Sequence, residues 1–193
     1  YKENSIVNRL GFNNKGVDYL VNNLKNRNFK GVLGVNIGPN KDSIGDDRIN
    51  DYLICLKKVN KHADYITINI SSPNTPNLRD LHNQEDLSVL IDAIDKCIKD
   101  LGINKPIFIK ISPDESDNTI SNIISHIENS SLSGIIATNT TIDKSMLANE
   151  EIKLIDGGLS GEPLMNKSTQ SLHSIKSKSK DIPLIGVGGV LSK

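Results

Sequence analysis

The chain has 193 residues, 23 basic and 23 acidic side chains, and a formal net charge of zero at pH 7. That balance excludes a nucleic-acid-binding patch or a polybasic membrane segment as the main feature, since either needs Lys and Arg in excess on one surface. Only two cysteines are present, Cys55 and Cys97, with no second Cys or His at metal-ligand spacing, which excludes a disulfide scaffold and gives no metal site.

The chain opens Tyr1-Lys2-Glu3-Asn4, without Met, and reaches the polar run Asn8-Arg9-Leu10-Gly11-Phe12-Asn13-Asn14. A helix is predicted from about Val17 to Asn26, where Val17, Leu20, Val21 and Leu24 share one face. The apolar block Gly31 to Ile37 then reads as a strand buried on both faces. From Asp47 to Lys61, Ile49, Tyr52, Leu53, Leu56 and Val59 fall on one helical stripe, and Tyr65 to Ile70 is the second strand. Gln84 to Leu101 repeats the helical pattern through Leu87, Leu90, Ile91, Ile94 and Ile98, and Pro106 to Ile111 is a third strand. Residues 116–129 are helical through Ile120, Ile123, Ile124 and Ile127, followed by strands at Gly134 to Thr138 and Pro183 to Val187. The chain stops just after the glycine turn Gly186-Val187-Gly188-Gly189. No apolar run approaches the roughly 20 residues that span a bilayer. With both ends falling inside motifs, residues 1–193 are expected to be the central part of a single longer barrel domain, incomplete at both ends, and the lack of a targeting segment carries no weight. By themselves these residues are expected neither to fold stably nor to bind a cofactor.

Strict alternation of strand and helix is the pattern of right-handed βαβ units on a parallel sheet. A (β/α)₈ barrel typically takes about 250 residues, so five strands amount to roughly five-eighths of one. A doubly wound open sheet shares this rhythm. The strand ends favour the barrel: Asn36, Asn69, Lys110, Thr138 with Asn139, and Gly188 with Gly189 are polar or glycine residues out of place in a core. Barrels bring such residues together at one mouth, whereas an open sheet would spread them along a crevice.

The loop after the second strand, Asn69-Ile70-Ser71-Ser72-Pro73-Asn74-Thr75-Pro76-Asn77-Leu78-Arg79, is the most informative segment. Its two prolines forbid helix and stiffen a loop that carries a hydroxyl and several amides. An ordinary Ser/Pro/Asn turn has the same composition. Lys110 lies between Ile109 and Ile111; a lysine in the barrel mouth would have to meet an anion or form an imine, while one at the strand end would reach solvent. Gly157-Gly158-Leu159-Ser160-Gly161 and Gly186-Val187-Gly188-Gly189 offer backbone N–H groups that suit a phosphate near the last strands. A phosphorylated cofactor, a cation for developing negative charge and an amide cluster for a planar polar substrate make a set that flavin mononucleotide fits.

The run N-I-S-S-P-N-T-P-N-L-R resembles the loop that marks the dihydroorotate dehydrogenases. N-R-L-G-F-N-N at 8–14, I-K-I around Lys110, A-T-N-T-T at 137–141, G-G-L-S-G at 157–161 and G-V-G-G at 186–189 resemble that family too, in its order and across the whole chain. The family's soluble branch carries cysteine in the loop and its membrane-associated, quinone-using branch carries serine. Ser72 makes this chain similar to the second, class 2.

The resemblance implies FMN-dependent oxidation of dihydroorotate to orotate, a step of pyrimidine synthesis in which C5 loses a proton and C6 a hydride. Ser72 would be the base, with Thr75 and Phe12 ordering and shielding a proton path. Flavin contacts would fall to Asn36, Asn69, Lys110, Thr138, Gly161, Gly188 and Gly189. Substrate contacts would fall to Asn8, Arg9, Leu10, Gly11, Phe12, Asn69, Asn74, Asn139 and Thr140, although Arg9 could equally form a surface ion pair. The family's N-terminal helices, which give peripheral membrane association and admit quinone, have no counterpart in the sequence; the implied location is a bacterial inner membrane, cytoplasmic face, or a mitochondrial inner membrane. His62, His82, His126 and His173 match no site position and read as surface or capping residues. Three other readings remain: the soluble class 1 branch, a Schiff-base barrel lyase using Lys110, and a non-catalytic nucleotide-binding barrel.

Overall fold

The computed structural model describes residues 3–73 and 84–191. Its elements in chain order are β1 (Ser5–Asn8), α1 (Val17–Lys25), β2 (Gly34–Ile37), α2 (Gly45–Val59), β3 (Tyr65–Asn69), α3 (Gln84–Leu101), β4 (Ile107–Ile111), α4 (Asp117–Glu128), β5 (Gly134–Ala137), α5 (Glu150–Lys153), β6 (Gly158–Gly161), α6 (Met165–Lys178) and β7 (Leu184–Gly186), with a short 3₁₀ turn at Glu162–Leu164. Local chemistry sets many of the boundaries. The Ser116 hydroxyl caps α4 by accepting the Thr119 N–H at 3.1 Å, and the Asn149 side chain does the same for Glu151 and Ile152 at the start of α5. Gly102, in the left-handed region at φ 59°, ends α3.

Five strands form one parallel sheet in the order β2-β3-β4-β5-β7. Apart from β1 and β6, which pair with each other outside this sheet, the strands join in the order of the sequence. A doubly wound sheet must reverse its order at some point, and this one does not. The helices α1, α2, α3, α4 and α6 pack side by side in that same succession. The fold is therefore an arc of a (β/α)₈ barrel.

The two faces of the sheet divide the labour. Val35, Ile37, Ile66, Ile68, Ile107, Ile109, Ile111, Ile135 and Ala137 point outwards and are buried with the apolar stripes of the helices in one core. Each such fully buried isoleucine contributes about 1.5–3 kcal/mol relative to exposure. Because side chains alternate along a strand, the residues between them face the concave side. Strand register lines these up in layers: Asn36, Thr67, Phe108 and Gly134 in one, and Asn69, Lys110, Ile136 and Ile185 in the next. The layer nearer the strand C-termini brings an amide and an ammonium side by side.

Two strands were not foreseen. β1 pairs antiparallel with β6, from Ser5 opposite Gly161 to Asn8 opposite Gly158. The segment 157–161, which reads as a phosphate-binding glycine loop, is thus largely a strand. Its glycines depress strand propensity and its partner is distant in sequence, so no local pattern reveals it. Helix α6 also went unread, because its buried positions are Ser168, Ser171 and Ile175 rather than an apolar stripe. Cys97 is buried in α3 and Cys55 half-buried in α2. Among the described residues no helix is long and apolar enough to cross a membrane.

Candidate active site

The C-terminal ends of β3, β4 and β5 are tied together by a compact polar network. The Tyr52 hydroxyl, from buried α2, donates to the Asn69 carbonyl at 2.7 Å. Burial pushes the Tyr52 phenol far above its usual range despite nearby Arg48, so it remains a proton donor. The Asn69 side-chain oxygen accepts the Ser71 N–H at 3.1 Å and an Asn139 amide hydrogen at 3.3 Å. The Ser71 hydroxyl lies 2.9 Å from the Lys110 carbonyl and 3.2 Å from Asn69 Oδ1. With a single hydrogen it serves the shorter contact, while it accepts the second Asn139 amide hydrogen at 3.1 Å.

This arrangement settles which atoms of the two asparagines remain available. Asn69 Oδ1 is occupied, so its Nδ2 hydrogens are what it can offer outward. Asn139 is the reverse: both Nδ2 hydrogens are used, and its Oδ1, which accepts the Thr140 N–H at 2.8 Å, keeps one lone pair. The rim therefore presents a donor from β3 and an acceptor from beyond β5.

Lys110 stands between them, level with Asn69 in the sheet. Its ammonium has no hydrogen-bond or ion-pair partner among the described residues. Burial pulls its pKa below the ordinary lysine value. A half-buried cation left in this condition is a ready counter-charge for an anionic ligand. Ser72 lies just past β3 and is 6% exposed. Asn74 and Thr75, expected in the same loop, lie outside the described residues.

Thr138 is buried, its N–H bound to Val187 O at 2.7 Å and its hydroxyl to Asn139 O at 3.1 Å; the Ala137–Thr138 peptide is cis. Gly188 is held to α6 by the Ser168 hydroxyl, 2.8 Å from its carbonyl. Gly189, at φ 77°, packs so closely on α6 that a Cβ there would fall 2.6 Å from Met165 backbone atoms. The α6 N-terminus has no side-chain cap. Gly161 ends β6 just before the 3₁₀ turn that leads into α6, whose first residue, Met165, packs against Gly189.

The 8–12 run forms a separate wall. Asn8 ends β1, and its side-chain oxygen accepts the Leu10 N–H at 3.4 Å. Arg9 makes an exposed ion pair with Asp156 at 3.1 Å, the surface role that its position left open. Leu10 is exposed. Gly11 and Phe12 are both left-handed, at φ 61° and 58°, an arrangement that costs Phe12 about 1 kcal/mol or more. That turn lays the Phe12 ring over Gly38, where a Cβ would approach it to 3.0 Å. Phe12 and Asn36 line a cavity of about 670 Å³ on the flank of the sheet, with Asn40 and Asp51 among its other walls. Asn69, Lys110 and Asn139 lie outside that cavity, on the concave rim.

Sequence reasoning missed Ser71 and Tyr52. The first was overshadowed by its neighbour Ser72, and the second sat on an apolar stripe that gave no hint of a working hydroxyl. Asp114 and Lys167, which form a charged cluster with Thr141 behind the rim, were also missed.

Parallel strands in sequence order, with amides, hydroxyls and a lysine gathered at their C-terminal ends, define a (β/α)₈ barrel with its polar site at that rim. The chain belongs to the dihydroorotate dehydrogenase family: the family model described as Dihydroorotate dehydrogenase matches residues 1–193. It is 47% identical over 191 residues to a "Dihydroorotate dehydrogenase (quinone)" of Pseudoalteromonas atlantica, covering 96% of this chain and 57% of that protein. A protein of the same description from Legionella pneumophila (strain Lens) is 46% identical over 192 residues, covering 97% of this chain and 58% of the other. A crystal structure of DHODH from Eimeria tenella in complex with ferulenol superposes with a TM-score of 0.89 at 32% identity, covering 98% of this chain and 57% of that one. The chain thus spans under three-fifths of the length of these relatives.

Proposed function

We propose that the protein of which these residues form part oxidises dihydroorotate to orotate with FMN as cofactor and a quinone as final electron acceptor. The observation that carries this reading is Lys110: a desolvated ammonium on the barrel rim, without an ion-pair partner among the described residues, beside an amide donor and an amide acceptor. The residues at hand suit FMN. Lys110 would balance the negative charge of the reduced ring, Asn69 and Asn36 would donate to its polar edge, Thr138 would border the ring, and Gly161, Gly188 and Gly189 would hold the phosphate by backbone N–H groups. Bound there, FMN would supply the acceptor for the hydride leaving C6 of dihydroorotate.

The chain itself positions the substrate and moves the proton. Asn69 offers donors and Asn139 an acceptor to the alternating edge of the pyrimidine ring, with Asn8, Thr140 and Asn74 completing the polar contacts along the run 9–12. Ser72 Oγ takes the C5 proton, Thr75 relays it, and the strained Phe12 ring shields the path. A serine hydroxyl is a weak base, so such shielding and relay are needed. The relatives described as quinone enzymes support the choice of acceptor and, with Ser72 in place of cysteine, favour class 2 over the soluble branch. Peripheral attachment to a bacterial inner membrane or a mitochondrial inner membrane would belong to N-terminal helices.

The test uses the full-length protein. Anaerobic dihydroorotate should bleach the flavin's visible absorption, and added quinone should restore it. Ser72→Ala should keep its flavin and reduce it slower by several orders of magnitude. A protein that carries no flavin, or a borohydride-trapped substrate adduct on Lys110, would overturn the reading in favour of a lyase or a simple binding barrel.

A further inference from the structure

Behind the rim lies a charged cluster that the reaction itself does not use. The Asp114 carboxylate, past the end of β4, receives the Lys167 ammonium of α6 at 2.7 Å and the Thr141 hydroxyl on Oδ1, and the Ile142 N–H at 3.1 Å on Oδ2. Lys167 also reaches Asp143 at 3.1 Å. Burial pushes the Asp114 carboxyl up, but hydrogen bonds from Lys167 and Thr141 outweigh it and leave it below the usual carboxylate range. The carboxyl of Asp143 is lowered to about 2, first by its hydrogen bonds from Ser145 and then by Lys167. Both acids therefore stay ionised and Lys167 stays charged at neutral pH.

Thr141 is fully buried at the centre of this cluster, and each of its polar groups is engaged. Its hydroxyl donates to Asp114 and accepts the Asp143 N–H at 3.0 Å. Its N–H and carbonyl pair with Leu159 of β6 at 3.1 and 2.8 Å. The neighbouring β6 residue, Gly158, lies opposite Asn8 in β1. Asn139 and Thr140 thus hang between β5 and a pinned Thr141, and Asn8 is tied to that same pin through β6.

We infer that the Asp114–Lys167 pair is a positioning clamp that fixes the spacing between Asn139–Thr140 and Asn8, and so sets the affinity of the site for its planar acid substrate. The inference rests on the reading of those three residues as substrate contacts. Paired charges held by several directional hydrogen bonds fix an orientation that an apolar contact of the same volume would leave loose, even where their net contribution to stability is small. A displaced binding group costs affinity without changing the chemistry of the residues that react.

The experiment takes the full-length, flavin-loaded protein and follows anaerobic flavin reduction against dihydroorotate concentration, together with orotate binding by its effect on the flavin spectrum. Lys167→Met and Asp114→Asn are expected to raise the half-saturating dihydroorotate concentration and the orotate dissociation constant about tenfold. Their flavin content and limiting reduction rate should stay within about twofold of wild type. Lys167→Arg should recover most of the affinity. Should the charge variants not fold, Thr141→Val, which deletes only the hydroxyl, should show the same rise. Unchanged half-saturation would overturn the clamp, and so would a loss of flavin and thermal stability with affinity intact, since that is what a purely structural pair would give. A wild-type flavin that dihydroorotate leaves oxidised would instead overturn the substrate reading itself, and the clamp's role with it.

Discussion

In the apoprotein the ammonium of Lys110 has lost much of its water and has no partner among the described residues, so its burial works against folding. Its pKa in the fold lies below the unfolded value of 10.5. The folded state therefore binds fewer protons than the unfolded one, and stability rises with pH. The penalty is complete below the folded pKa and fades as pH climbs from there towards 10.5. Replacing the residue with an apolar one of similar length removes the penalty and the pH slope together. Lys110→Met in the flavin-free full-length protein should raise stability by about 1 kcal/mol, a few degrees in Tm, while weakening flavin retention and slowing reduction. Thermal melts of the apoprotein between pH 7 and 10 check this; a variant less stable than wild type at pH 7 would show that Lys110 is paired after all. Nearby, Tyr52 illustrates the opposite choice, a buried hydroxyl kept neutral and put to use holding Asn69.

At the scale of elements, the two strands that the sequence concealed matter most to the site. Gly158 of β6 is a close-approach residue: a Cβ there would fall 2.1 Å from Thr140 Oγ1, 2.8 Å from Thr140 Cβ and 3.1 Å from Pro73 Cγ. Rotating the threonine relieves the first contact and leaves the second. Gly158→Ala should therefore displace Thr140 and raise the half-saturating dihydroorotate concentration about tenfold or more, with a cost in stability of about 1–3 kcal/mol. Titration of flavin reduction beside a thermal melt reads both, and wild-type affinity would show that Thr140 does not border the substrate. Elements with their own period were legible from sequence: α3 has the predicted bounds, α2 and α4 differ by one or two residues, and all five parallel strands are present within the predicted blocks. The rim residues Asn69, Lys110 and Asn139 were legible because polar groups at the ends of apolar strands have no packing reason to be there. Ser71 and Asp114 were not, since their roles exist only after β3, β4 and β5 are brought together. No periodicity encodes a hydrogen bond between residues 39 or 68 positions apart, as those of Ser71 to Lys110 and to Asn139 are.

For the whole molecule, sequential strand order keeps the sheet's contacts local: from β2 to β5 each strand lies one helix away from its neighbour, and β7 follows β5 after α5, β6 and α6. The convex face supplies nearly all of the apolar burial and the concave face carries the polar layer, so stability and binding draw on different sides of the same strands. That separation lets the rim hold a half-buried cation and a strained Phe12 without disturbing the isoleucine core. It also explains why the arc superposes so well on the Eimeria tenella structure at 32% identity, since the outward-facing residues need only remain apolar and of similar volume.

The β1–β6 ribbon obeys another logic. Its flanking hydrogen bond from Asn4 to Glu162 joins residues 158 positions apart, and closing so long a loop is entropically favourable only when the sheet between them already exists. The ribbon should therefore assemble after the folding barrier has been crossed. Val7→Ala, in β1, should cost about 1–2 kcal/mol and show nearly all of it as a roughly five- to thirtyfold faster unfolding rate, with refolding little changed. Stopped-flow refolding that slowed by the same factor would mean that the ribbon forms early. On the proposed reading, a late ribbon carries Asn8 into place last, so the nascent barrel would have its flavin side shaped before its substrate side, and prosthetic-group loading would precede completion of the wall that admits substrate.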